Sequence, residues 1–404
     1  LERLKKIAKV IIFIAIFALI YVKVEHVLEE RTGYERYDAF FKAPSDIDVL
    51  FFGNSRILNG IYPMELYHDH GIASFNMGGH ANRMPTTVWL ARNILDYTTP
   101  KLIVMDLNSV STMLKHSEDV RYVHMSFDAL PLSRNKIAAV RDLMEKEDQA
   151  EFIWKMWIYH NRWSELDEFD FHQVKKLEKG AEMRVGLTAK DEGRLDYDHE
   201  VLMGGDTLGE KYLAEFLKEC DAKGIEVMFT YMPLNVNEED APEVNSLEAL
   251  AAKYGRKYLY MNDAAEVNFD TDFYDSNYHL NPSGARKATE LMGEFLDENY
   301  DLPDRRGDAA YESWDRDYEE YVYMKEDYLR TEDDVTKFLP LLYDKNYESK
   351  AVLYDESFLD DERHVTLLKN AGVYETMERG SGDGIMSVTV TRKSDGSIVC
   401  QRDF

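Results

Sequence analysis

The sequence predicts an α/β protein built on a doubly wound parallel sheet, with an N-terminal transmembrane helix, a helical insertion and a small C-terminal α/β appendage. Three observations predict it. Short apolar runs of strand length recur from residue 48 and alternate with helical stretches. These runs are apolar at consecutive positions, the pattern of strands covered on both faces. Near the N-terminus, residues 10–22 (VIIFIAIFALIYV) form an uncharged run between Lys9 and Lys23.

That run spans only about 20 Å of a roughly 30 Å hydrocarbon core. Snorkelling of Lys9 and Lys23 to the two interfaces extends the apolar stretch to residues 7–24. A cleaved signal peptide and a buried core helix are the alternatives. No small-x-small cleavage site follows, the next residues being KVEHVLEERTGYE, which favours an uncleaved anchor, residues 1–30. Arg3, Lys5, Lys6 and Lys9 precede the run and predict a cytoplasmic N-terminus, with the rest of the chain outside a cell membrane crossed once.

The expected strands are residues 48–53, 73–77 (ASFNM), 102–107 (LIVMDL, after Pro100), 225–231 (IEVMFTY) and 258–261. A helix over about 86–95 links the second strand to the third. Gly224 is a good stop for the helix before the fourth, and a helix over about 283–299 follows the fifth. Parallel strands with crossover helices place a site at the C-terminal ends of the strands. Residues 109–208 interrupt the alternation. Their aromatic and long charged side chains (FIWKMWIYHNRW at 152–163) predict helices laid over one sheet edge, an insertion with the makings of a lid. Residues 301–349 read as an acidic, aromatic linker, although its most acidic and aromatic part, residues 311–334, is equally compatible with a peripheral helix or a carbohydrate-contacting surface. Residues 350–404 combine strand runs (AVLYDES, SVTVTR, SIVCQ) with a helical HVTLLKNAG and Gly-rich turns, a small α/β region.

Composition removes several classes of function. The 404 residues carry 48 Lys plus Arg against 76 Asp plus Glu, a formal charge of −28 that would repel a phosphate backbone, so nucleic acid is not an expected partner. Apolar residues at 45% and aromatics at 12% are too abundant for a disordered acidic chain. Cys220 and Cys400 make neither a disulfide framework nor a thiolate zinc site, though they leave one bridge open. No P-loop, dinucleotide fingerprint, EF-hand or His/Asp/Glu ligand spacing appears, so no cofactor and no metal are expected.

Ser55 lies in FFGNSRI, directly after the first strand and at the start of a helix, where free N–H groups can stabilise an oxyanion. Asn and Ser there are also ordinary helix-capping residues. The segment FYDSNYHLNPSGA, 273–285, supplies Asp275 and His279 in one loop before the last helix, at the same sheet edge. His279 can take the serine proton while Asp275 fixes its tautomer. Read alone, His279 is equally a satisfied loop histidine; the joint pattern of serine after the first strand with Asp and His before the last helix points to nucleophilic catalysis.

With GNSR at 53–56 and DSNYHLN at 275–281, residues 45–300 resemble the SGNH (GDSL-like) hydrolase superfamily, whose fold is flavodoxin-like. The chain is similar in particular to membrane-anchored, extracytoplasmic members from Gram-positive bacteria, in which GNSR, SFDALPLS (126–133), YHNRW (159–163) and YHLN recur. The resemblance implies Ser55 as nucleophile, His279 as base and Asp275 as its partner. It also implies a backbone N–H of Gly78 or Gly79 as an oxyanion donor and an Asn after the third strand as another, with Asn108 the nearest match and Asn82 in competition. Two departures stand out. The block reads Gly-Asn-Ser where the family has Gly-Asp-Ser, and Asp275 stands four residues before His279 where the family has three, which brings in Asp272 as an alternative.

His80 and Asn82, just past Gly79, are candidate substrate contacts. His160, Arg162 and Trp163 are candidates for lining a polymer groove, although an aromatic run at helical spacing also serves packing. The expected function is a serine esterase or O-acyltransferase acting on acyl esters of cell-envelope polysaccharide or polyol polymers through an acyl-enzyme. Such relatives accompany membrane-bound O-acyltransferases, so the alternative is a non-catalytic, anchored accessory protein of such an enzyme, or an envelope-polymer binder.

Overall fold

The computed structural model describes residues 2–29, 34–116, 119–152, 154–171, 178–188, 195–275 and 278–404. Residues 153, 276 and 277, and parts of the 109–208 insertion, therefore lie outside the described residues.

The protein is a mixed α/β fold around a five-stranded parallel sheet. Its strands are β1 (Val49–Phe52), β2 (Ser74–Asn76), β3 (Leu102–Asp106), β4 (Glu226–Tyr231) and β5 (Tyr258–Tyr260), in the order β2-β1-β3-β4-β5. Leu50 stands opposite Phe75 on one side and Ile103 on the other, and Val104 opposite Met228. Every residue of β1, β2 and β3 is buried, which explains why these strands read as continuous apolar runs. The order steps outward from β1 in both directions, so the crevice between the C-terminal ends of β1 and β3 is the switch point where ligands bind in such sheets.

Helix boundaries follow local chemistry. Thr207 caps helix Leu208–Lys223 through its Oγ1, which accepts from Glu210 N at 3.1 Å, and Gly224 closes it at φ 69°. Helix Met84–Ile94 packs against Leu208–Lys223, and Pro63–His70 against Pro282–Asn299. Among the described residues, the insertion adds no core of its own. Val123, Phe127, Ala139, Leu143 and Phe152 join the main cluster, and helix Arg134–Leu143 lies on Met84–Ile94.

The main core reaches beyond residues 45–300. Tyr37 and Phe40 of helix Tyr34–Lys42 are fully buried in it, as are Trp314 and Tyr321 of helix Glu312–Thr331. The stretch expected as a linker therefore contains that 20-residue helix, whose later residue Leu329 enters a second apolar cluster. Trp314, Tyr321 and Leu329 face inward and most of its carboxylates outward, an amphipathic pattern from which exposed Tyr323 and buried Glu326, paired with Arg330 and Arg392, depart. The second cluster fills the C-terminal unit, where β8 (Tyr347–Leu353) and β11 (Ile398–Asp403) flank β10 (Met386–Arg392) antiparallel and β9 (Glu378–Arg379) pairs β8 parallel. Helix Glu362–Asn370 covers it through Leu367 and Leu368. Cys220 is buried in the main core and Cys400 in the second, and both are free thiols.

Helix Glu2–Leu28 is long and apolar enough to cross a membrane: its most apolar window has a mean hydropathy of 2.5 and none of it is buried.

Candidate active site

The site begins at Gly53, where β1 ends. A Cβ there would stand 2.7 Å from Asp106 Cβ and 2.8 Å from Ile57 Cγ1, so only glycine lets the chain turn between β3 and the next helix. Asn54 caps helix Ser55–Gly60, its Oδ1 accepting from Arg56 N at 2.9 Å. Its Nδ2 donates to Asn108 Oδ1, tying the end of β1 to the loop after β3. Ser55 is thereby the first residue of a helix at the switch point. Among the described residues no acceptor faces its backbone N–H.

Opposite lies a hairpin of β6 (Phe273–Asp275) and β7 (His279–Leu280). Asn281 follows it as the cap of helix Pro282–Asn299, its Oδ1 accepting from Ser283 N and Gly284 N while its buried Nδ2 donates to Thr271 O at 2.8 Å. This double anchorage holds His279 over the crevice. His279 Nε2 is 2.8 Å from Ser55 Oγ, and His279 Nδ1 is 2.7 Å from Asp275 Oδ2. The four-residue spacing is absorbed by the hairpin: His279 N donates to Asp275 Oδ1 at 3.1 Å and Tyr278 N to Asp275 O at 3.2 Å. Burial pushes the Asp275 carboxyl up, but the His279 side chain and the N–H groups of His279 and Tyr278 outweigh it and hold the group below the usual carboxylate range. With a carboxylate at Nδ1, the ring carries its proton there and presents a bare Nε2 to the hydroxyl, the tautomer a general base needs. Asp272 is not the partner. It is fully buried, paired with Lys287 Nζ at 2.7 Å and accepting from Asn268 N at 2.8 Å.

A cavity of about 320 Å³ opens on this array, lined by Ser55, Asn59, His80, Tyr122, Arg184, Tyr274, Asp275 and His279. Part of its wall comes from the insertion. Glu182 N donates to Leu58 O at 3.0 Å and Asn59 Nδ2 to Glu182 O at 3.0 Å, so residues 181–185 run along the serine-bearing helix. Glu182 Oε2 accepts from Arg184 Nη2 at 2.9 Å, and its Oε1 is 3.4 Å from His80 Nε2, a charge contact rather than an aligned hydrogen bond. Burial works to raise the Glu182 carboxyl, yet His80, Arg36 and Arg184 bring it down to about 2.

The other expected residues divide. Gly78 and Gly79 lie beside the site, but their N–H groups are engaged: Gly78 N donates to Asn76 Oδ1 at 2.9 Å and Gly79 N to Gly53 O at 3.1 Å. Neither is available to an oxyanion, because these bonds hold the loop after β2 against the serine turn. The Asn108 side chain, its oxygen held by Asn54, has no acceptor for its Nδ2 among the described residues. Asn82 is buried behind Gly79, with Oδ1 accepting from Ser126 Oγ at 2.8 Å, and does not line the cavity. His160, Arg162 and Trp163 are not at this site. They stand at the end of helix Glu2–Leu28, where Arg162 Nη1 donates to Leu28 O and Glu29 O. Asn59, Tyr122, Arg184 and Tyr274 were not singled out in sequence; Asn59, four residues after Ser55 on its helix, and Tyr274, beside Asp275, had a local signal, whereas Tyr122 and Arg184 reach the cavity only through long-range docking. Among the described residues no group of three or more His, Cys, Asp or Glu is placed to hold a metal ion.

Beneath the site, Arg56 is buried with its guanidinium 4.7 Å over the Tyr231 ring, and burial raises the nearby Asp106 carboxyl to about 6 despite that cation.

Compared with known proteins, the chain matches no family model and no curated protein sequence.

Proposed function

We propose that this protein is a serine esterase or O-acyltransferase of the SGNH type, its sheet doubly wound, acting on acyl esters of extracytoplasmic polysaccharide or polyol polymers. The observation that carries the reading is the continuous hydrogen-bonded line from Asp275 through His279 to Ser55. In the proposed reaction Ser55 Oγ attacks the ester carbonyl carbon while His279 Nε2 takes its proton. The resulting oxyanion is met by the Ser55 N–H and the Asn108 amide, and His279 returns the proton to the departing alcohol. Water or a sugar hydroxyl then attacks the acyl-serine with His279 again as base, giving hydrolysis or transfer. The cavity suits a small acyl group on a sugar: Tyr122 and Tyr274 offer partly exposed rings on which a pyranose face can rest.

Helix Glu2–Leu28 supports a single-pass anchor with Arg3, Lys5, Lys6 and Lys9 on the cytoplasmic side and the catalytic domain outside. The engaged N–H groups of Gly78 and Gly79 favour a second reading, an anchored accessory protein that keeps the serine without turnover. A fluorophosphonate probe separates the two. The enzyme reading expects covalent labelling of the full chain in detergent that is lost in Ser55→Ala, together with a fall of at least about 1,000-fold in p-nitrophenyl acetate hydrolysis. Equal turnover by Ser55→Ala would overturn the assignment of the nucleophile.

A further inference from the structure

Of the five tryptophans, Trp314 is buried at 2% exposure and Trp89 is tied to Asp142 Oδ2 at 2.7 Å. The other three, Trp154, Trp157 and Trp163, are 60%, 69% and 71% exposed and fall within ten residues of each other. A water-facing surface gains nothing from three indoles, whereas a bilayer interface does, because the ring is apolar and its N–H is wet.

Their position relative to helix Glu2–Leu28 is specific. The short helices Met156–Tyr159 and His160–Ser164 both pack against it, and Trp154, Met156, Trp157 and His160 form an open cavity of about 440 Å³ with Tyr21. Tyr21 lies three residues before the end of the apolar stretch at residue 24, about 4.5 Å along the axis, the depth of an aromatic belt. The height is locked. Arg162 Nη1 donates to the carbonyls of Leu28 at 2.8 Å and Glu29 at 2.5 Å, and Lys155 Nζ pairs with Glu29 Oε1 at 2.7 Å. Lys155 and Arg162 are neutralised by Glu29 and Asp170, so attraction to anionic headgroups is not what this surface is built for.

We propose that Trp154, Trp157 and Trp163 seat the insertion in the outer interface of the same bilayer that helix Glu2–Leu28 crosses, making the protein a two-point membrane attachment rather than a domain on a free tether. The partner is a lipid surface, engaged through aromatic burial. This rests on the reading of the helix as a span.

The test uses the full chain in vesicles of zwitterionic lipid brominated either near the glycerol or near the chain terminus, with flotation measured on the same samples. The wild-type protein should float and lose roughly half of its tryptophan emission to the shallow bromines, three of five fluorophores being at the surface, and less to the deep ones. Trp154→Phe/Trp157→Phe/Trp163→Phe should still float while its remaining emission is untouched. Flotation with wild-type emission no more quenched than that of the triple variant overturns the docking surface and leaves the span standing. Absence of flotation overturns both.

Discussion

His279 Nε2 stands 2.8 Å from Ser55 Oγ across 224 residues of chain, and each partner is fixed by its own helix start rather than by the other. The hydroxyl is aimed by the Asn54 cap, the imidazole by the Asn281 cap behind it. Such a pair is preorganised: its geometry does not depend on substrate to form.

Replacing Asp275 by Asn should lower kcat for ester hydrolysis by roughly 100- to 10,000-fold with KM little changed, because the amide carries no charge to stabilise the imidazolium and its NH2 can donate to Nδ1, favouring the wrong tautomer. Asp272→Asn should do the opposite. Turnover per folded molecule is retained, while stability falls by about 3 kcal/mol as part-buried Lys287 loses its counter-charge. Steady-state kinetics and urea unfolding of the two variants check the assignment.

Gly53→Ala tests the turn that carries Ser55, the proposed nucleophile. Its Cβ would press on Asp106 Cβ, which cannot swing aside, so a cost of about 1 to 3 kcal/mol is expected. Displacement of Ser55 should lower kcat by roughly 100-fold, since catalysis is sensitive to shifts of about 1 Å.

Glu182 makes the fold sensitive to acid. Its carboxyl titrates at about 2 in the folded protein against an ordinary 4.5, so the unfolded chain takes up the proton first as pH falls. The stabilisation is complete above the ordinary value, about 2 to 3 kcal/mol, and is lost on descending toward the folded value. Urea midpoints of the wild type and Glu182→Gln should differ clearly at about pH 6 and converge near pH 2. A constant difference would place the effect elsewhere.

Lys325 is buried between Glu65 and Asp344, with Nζ 2.8 Å from a carboxylate oxygen of each. Lys325→Met should destabilise the protein by about 3 to 5 kcal/mol, because it leaves two buried carboxylates sharing Arg286 as their one cation among the described residues. Double substitution with Glu65→Gln should recover part of that loss, which thermal unfolding would measure.

The strands of the main sheet were legible because β1, β2 and β3 are buried on both faces, so five apolar runs and Gly224 outlined them within a residue or two. Ser55, His279 and Asp275 were legible because each lies beside a marked strand end or helix start. What escaped depends on contacts far apart in sequence. Whether the Gly78 and Gly79 N–H groups are free is decided by Asn76 and Gly53, not by the glycines themselves. Arg184 reaches the cavity, and Glu182 reaches His80 on its wall, only because residues 181–185 dock on Leu58 and Asn59. The aromatic run at 152–163 reads alike as packing or polymer groove until the helix it touches is seen to be Glu2–Leu28.

Helix Glu312–Thr331 lends Trp314 and Tyr321 to one core and Leu329 to the other. Neither half can melt without stripping the second of a wall, so heat or denaturant should meet one cooperative body, and a chain cut short before residue 312 would forfeit not an appendage but the outer face of its own parallel-sheet domain.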